Sequence, residues 1–301
     1  MPLTVEALLP SAPIHTDDNA GPLVRQLIAR KEALSPTWLD AAKRVVKNPK
    51  DATAAQTFRA GLSQHTELLA LYTQATQRPR CDIGFNYQLG EGLNQGVLTV
   101  FSKGATLFTA RALLSPDASA AFADIERAAR LGNLTAQTPL LTAAVVSSSA
   151  HRQARDGHAQ LVARFGASPA SLKAKLAFAK PPTPEFFFSG EAVLSFITAQ
   201  KFRRTAYFKD PTLRLLAPVY LPIWERQLVR FWSEVYATLR RYPADSPELL
   251  RHLAALEDKW YGKDGESLFQ SFTHLPDILV ALKGPPLKSA VEKTQSLKPS
   301  P

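Results

Sequence analysis

Thiols are almost missing from this 301-residue chain, in which Cys81 stands alone. An intramolecular disulfide is therefore excluded, and zinc sites built on two to four thiolates are nearly so. Met1 to Asp18 hold neither a basic start nor an apolar stretch, so no signal peptide is read there. A cytoplasmic location follows as the expectation. Long apolar runs are also missing. Leu131 to Ala150 is the longest charge-free stretch, but Asn133, Gln137, Thr142 and Ser147 to Ser149 break it. A membrane-spanning helix needs roughly 20 predominantly apolar residues, so no transmembrane segment is expected. Strict alternation of Val, Ile and Thr is scarce, which argues against β-strands.

Composition then points one way. Apolar residues make up 45% and charged residues 21% of the chain, enough for a sizeable core and close to the globular norm. Ala, Leu, Arg, Lys and Gln recur through most of the chain, which favours helix. The formal net charge is +10. It is concentrated: residues 201–241 carry nine basic residues against Asp210, Glu225 and Glu234, a net +6. Such an excess attracts anionic surfaces but specifies no fold.

A punctuation mark recurs. Ser35-Pro36, Ser115-Pro116, Ser168-Pro169, Ser246-Pro247, Thr138-Pro139 and Asp210-Pro211 each precede a helical pattern. The polar side chain accepts from free N–H groups at a helix start, and proline at the first helical position forfeits no hydrogen bond. The marks and the periodicity predict helices over 23–33, 36–47, 52–77, 92–114, 116–131, 138–165, 169–179, 190–208, 212–241, 247–261 and 265–283. Within 52–77, Phe58, Leu62, Leu69 and Tyr72 recur on one face. Within 116–131, Phe122, Ile125, Ala129 and Leu131 form a stripe, with Asp124, Glu126 and Arg127 opposite. Pro218 and Pro222 are expected to kink or break 212–241.

The fold class is all-α, an array of antiparallel helix hairpins, either tetratricopeptide-like or an irregular solenoid or bundle. Helices 92–114 and 116–131 form one such hairpin, with Ala110, Ala112, Ala121 and Ala128 as a small-residue seam. The expected organisation is an irregular arm over 1–22 and a helical-hairpin domain over 23–180. A Pro-rich hinge over 181–184 follows. A basic, aromatic helical region over 185–283 and a disordered Pro/Lys/Ser-rich tail over 284–301 complete it.

From Leu68 to about Glu191 the text resembles an uncharacterised family of bacterial helical proteins with tetratricopeptide-like hairpins. The residues that carry it are Arg78-Pro79-Arg80-Cys81 followed by Phe85, Tyr87 and Gly90. Then come Phe108 to Leu114, Ala120 to Ile125 running into Ala129-Arg130-Leu131, then Pro139-Leu140-Leu141, and finally Ser189-Gly190-Glu191. The resemblance implies stacked helix pairs and, since members are often anchored at the N-terminus, a membrane-associated or exported location as the alternative to the cytoplasm.

Candidate chemistry is sparse. His151 and His158 lie seven apart, about 10 Å along a helix, too far for one zinc ion, and read as solvated or capping histidines. Gly90, Gly92 and Gly96 lack the flanking residues of a phosphate loop and read as loop-to-helix glycines. Gly265-Glu266-Ser267 lacks the closing glycine of a nucleophile elbow. Cys81 reads as buried or inert. No metal and no cofactor is expected. Glu191, taken as opening helix 190–208, reads as a carboxylate on that helix's own dipole, or alternatively as one facing a cleft.

The strongest binding candidate is 201–241, where Phe202, Tyr207, Phe208, Tyr220, Trp224, Phe231, Trp232 and Tyr236 interleave with the basic residues. Arg203, Arg204, Tyr207, Arg214, Trp224, Arg226 and Arg230 are the expected partner-binding residues. The bland alternative puts the aromatics in the core and the arginines in water. The functional expectation is a non-enzymatic helical scaffold that binds a protein or peptide. A second reading is an anionic-surface binder of nucleic acid or acidic lipid through the same residues. A third is a helical enzyme assembled from Glu191, His151 and Arg203.

Overall fold

The computed structural model describes residues 16–30, 34–166, 183–203, 211–243, 246–261 and 291. Within them, the side chains at 16, 90–92, 199, 201–203, 211–221, 223–225 and 261 fall outside the described set. The expected helices 169–179 and 265–283, the Ser168-Pro169 cap, residues 181 and 182 of the hinge and all of the tail except Val291 lie outside the described residues. Arg204 and Tyr207 do so too.

The described residues form ten α-helices and no β-strand. In chain order α1 is Gly21–Ala29, α2 Pro36–Lys47, α3 Ala52–Leu62, α4 Thr66–Thr76 and α5 Thr99–Leu114. After these, α6 is Ala118–Thr135, α7 Leu141–Phe165, α8 Pro184–Arg203, α9 Pro211–Arg241 and α10 Pro247–Tyr261. Short 3-10 turns cover Thr16–Asp18, Tyr87–Gly92 and Gln95–Leu98.

The core is the trio α5, α6 and α7, each packed on the other two. Small residues bring the axes close. Ala110, Ala112, Ala121 and Ala128 are fully buried, as the seam required. At Gly132 a Cβ would fall 2.5 Å from the His151 ring, so only glycine lets the imidazole lie against α6. Ser147, one turn earlier on α7, donates to the Gly132 carbonyl at 2.8 Å. Around this trio α2 packs on α3 and α5, α1 on α4, and α4 on α6. Past residue 182, α8 packs on α7, on the Tyr87–Gly92 turn and on α9, and α9 packs on α10.

One stretch, Gln95–Leu114, is long and apolar enough to cross a membrane by composition, but 67% of its most apolar window is buried inside the protein. It contains α5, and a helix surrounded by neighbours is apolar all round for that reason.

Several expectations shift. The stretch 52–77 is two helices, not one, because the chain turns at Ser63 to His65. Trp38 occupies that corner, stacking on Phe58 and His65 and donating to the Phe58 carbonyl at 2.8 Å. The 116–131 helix starts at Ala118, with Asp117 rather than Ser115 accepting from the helix N–H of Ser119. Of the expected 190–208, the described part starts earlier, at Pro184, so the last hinge proline is the first residue of a helix. Pro218 and Pro222 do not break α9, which runs from Pro211 to Arg241 as one element. Each proline removes one backbone bond. The buried face of Leu228, Phe231, Trp232, Val235 and Leu239 holds the rest of the helix in place.

Candidate functional site

The last residue of α3, one side of α4 and one residue of α5 border a surface groove. Its volume is about 450 Å³, within the range of ligand-binding clefts. Leu62 and Leu69 give it an apolar floor, and Thr66, Ala70, Thr73 and Gln74 of α4 line it. Thr66 and Thr73 donate their hydroxyl protons to carbonyls of their own chain segment, so they add little polar demand. The charged lining residue is Arg111, from α5.

Arg111 is held rigidly. Its Nε and Nη2 donate to the two oxygens of Asp124 at 2.6 Å each, a fork-to-carboxylate pair. Its guanidinium lies 5.2 Å from the centre of the Phe108 ring. Arg127 donates to the same carboxylate at 2.5 Å. Asp124 is thus not on the solvated face that the stripe suggested, but only 4% exposed. Two guanidinium groups clasp it, and without them its burial would be prohibitive. Sequence reasoning passed over both residues, since i+13 partners on different helices leave no local spacing to read.

Glu191 is a different case. It lies in the second turn of α8, not at the start of a helix, and its Oε1 accepts from the backbone N–H of Leu141 at 3.0 Å. Leu141 opens α7, whose N-cap residue Leu140 has no side chain able to cap it. The carboxylate therefore does act at a helix N-terminus, but at that of another helix. Gly190 permits the approach: a Cβ there would overlap the Pro139 carbonyl, 1.6 Å from its oxygen. Burial pushes the Glu191 carboxyl above the usual carboxylate range, with the Leu141 N–H opposing. It also adds to the burial that raises the nearby Tyr87 phenol, together with Asp82.

His151 is 2% exposed, so it is a core residue rather than a solvated or capping one. Burial, with Arg155 adding to it, pulls its imidazole down to about 4. His158 packs against Phe122, ring centres 5.9 Å apart. Cys81 is buried and its thiol is pushed up to about 12, chiefly by desolvation. Glu191 and His151 do not meet, and the side chain of Arg203 lies outside the described set. His151 lies ten residues, about 15 Å, along α7 from the end that Glu191 caps, and Arg203 lies about 18 Å along α8 from Glu191. No group of three or more His, Cys, Asp or Glu side chains suited to a metal ion occurs among the described residues.

In the basic region, Arg226 and Arg230 are exposed on α9. Arg230 is 3.5 Å from Glu234, which also pairs with Lys259 at 2.7 Å, and Arg240 is 3.8 Å from Glu185. Phe231, Trp232 and Tyr236 are buried, with Trp232 against Phe188 and Phe231 against Trp260. The side chains of Arg203, Arg214 and Trp224 lie outside the described set. No protein-family model, curated protein or solved structure matches this chain.

Proposed function

We propose that the chain is a non-enzymatic helical scaffold of tetratricopeptide-like hairpins that seats a protein or peptide partner between helix pairs. The observation that carries this reading is the groove of about 450 Å³ with an apolar floor and one fixed guanidinium. An apolar cleft with a single oriented polar group suits recognition. Its lining side chains include no acid–base pair that would move a proton. The resemblance of residues 68–191 to a helical-hairpin family supports the same reading. The anionic-surface reading of 201–241 draws less support, because the described aromatics are core residues and offer no face on which a base could stack.

The test is selection of binders to the full chain from a displayed peptide library, followed by Ala70→Trp. Ala70 is exposed on the groove wall, so the new indole fills the groove without entering the core. Selected peptides are expected to lose at least about tenfold in affinity, ~1.4 kcal/mol, with an unchanged melting temperature. Failure to select any peptide, or peptides indifferent to Ala70→Trp, overturns the proposal.

A further inference from the structure

We infer that the partner seated in this groove is an acidic amphipathic helix, with an Asp or Glu of the partner on Arg111 and an apolar side chain one turn away on Leu62 and Leu69. The inference rests on the scaffold reading and names the chemistry of its partner.

Charge balance is the first argument. Arg111 and Arg127 share one carboxylate, Asp124, while the neighbouring Arg130 is matched by Glu126 at 2.7 Å. The Arg111–Asp124–Arg127 group therefore carries one positive charge shared by two guanidinium groups, and Arg111 is the one of the two that lines the groove. A guanidinium has five N–H donors, and the fork to Asp124 engages two. Arg111 remains 30% exposed, enough to meet an incoming anion. The Asp124 fork and the Phe108 ring fix its plane beforehand, so little side-chain entropy is lost on binding.

Shape is the second argument. Thr66, Ala70 and Gln74 are exposed and repeat every four residues along α4. They make an exposed, uncharged wall about 12 Å long. A helix ridge packs into a groove of that form, and its anchors recur at i, i+3 or i+4 and i+7. An apolar floor beside a positive edge then selects an apolar anchor with a carboxylate one turn from it. A nucleic-acid strand would instead need a row of cations, and the groove supplies one.

The experiment uses the full chain and fluorescein-labelled 14-residue helical peptides selected as above. Each is made in three forms, with Glu, Gln or Lys at the charged position. Fluorescence polarisation at low salt should rank them Glu, then Gln, then Lys, with about tenfold between the first two. Gln74→Glu, an exposed change that places a like charge in the groove, should weaken the Glu form by a similar factor and spare the Gln form. Arg111→Gln should erase the difference between Glu and Gln. If the three forms bind alike yet Ala70→Trp still blocks them, the acidic-partner inference falls and the scaffold reading stands. If Ala70→Trp blocks none of them, both fall. Displacement of the Glu peptide by an equal concentration of a single-stranded oligonucleotide also overturns the inference.

Discussion

Asp124, in the helix trio, and Glu191, at the junction of α7 and α8, are both carboxylates withdrawn from water, yet their surroundings treat the charge differently. Asp124 receives three charge-assisted bonds of 2.5–2.6 Å from two arginines. Glu191 receives one backbone N–H at 3.0 Å, and burial pushes its carboxyl up. The trio is built to hold an ion. The junction holds a carboxyl for its acceptor oxygens and strains against its ionisation. Burial alone does not decide how well a carboxyl is satisfied; the number and charge of its donors do.

The largest test of this contrast is Asp124→Ala. It leaves Arg111 and Arg127 facing each other across a vacated, largely buried site. Removing one partner of a fully buried ion pair costs 3–5 kcal/mol. Both arginines are about one-third exposed, so partial resolvation brings the expected loss to about 3 kcal/mol or somewhat below. Urea unfolding measures it. A loss under about 1 kcal/mol would mean that the arginines resolvate freely, and Asp124 would then be no more structural than an exposed pair.

Next comes His151, the neutral counterpart in the same trio. Its folded-state value, about 4, lies below its ordinary 6.5. A depressed group contributes stability that is present above its unfolded value and is lost as pH falls toward the folded one. The contribution should therefore fade between pH 6.5 and about 4, by about 3 kcal/mol in all. His151→Gln should flatten that limb of the stability profile, whatever it does to stability at neutral pH. An unchanged limb would show that the imidazole charges without opening the α6–α7 contact.

These residues also mark how much was legible beforehand. Ser35-Pro36 and Ser246-Pro247 were read correctly because capping is local: each serine accepts from a backbone N–H three residues on, that of Trp38 and that of Leu249. Thr138-Pro139 placed the next helix nearly right for the wrong reason. The cap of α7 comes from Glu191, fifty residues along the chain, and no spacing rule reaches that far. The buried face of α6 followed from periodicity, since Phe122, Ile125, Ala129 and Leu131 are all core. Asp124 did not, because its burial depends on Arg111 from the preceding helix. The groove was invisible for the same reason. Its floor and its cation come from residues more than forty positions apart, Leu62 and Leu69 on one side and Arg111 on the other.

The smallest effect, and the one that separates the two carboxylates most cleanly, is at Glu191. Glu191→Ala removes the acceptor at the start of α7, a cap worth about 1–2 kcal/mol. Glu191→Gln keeps the volume and an acceptor oxygen but cannot ionise. The folded carboxyl titrates above its ordinary 4.5. A raised group contributes stability that is fully present below its unfolded value and is lost as pH rises through the folded one. The melting temperature of Glu191→Gln relative to wild type should therefore climb as pH rises from 4.5 toward neutrality. A flat difference would mean that the α7 dipole and the Leu141 N–H together offset desolvation, and Glu191 would then be as well served as Asp124. The slope runs opposite to that of His151 over the pH range the two share. The wild-type profile alone thus mixes them, and only each variant's difference from wild type isolates the junction from the trio.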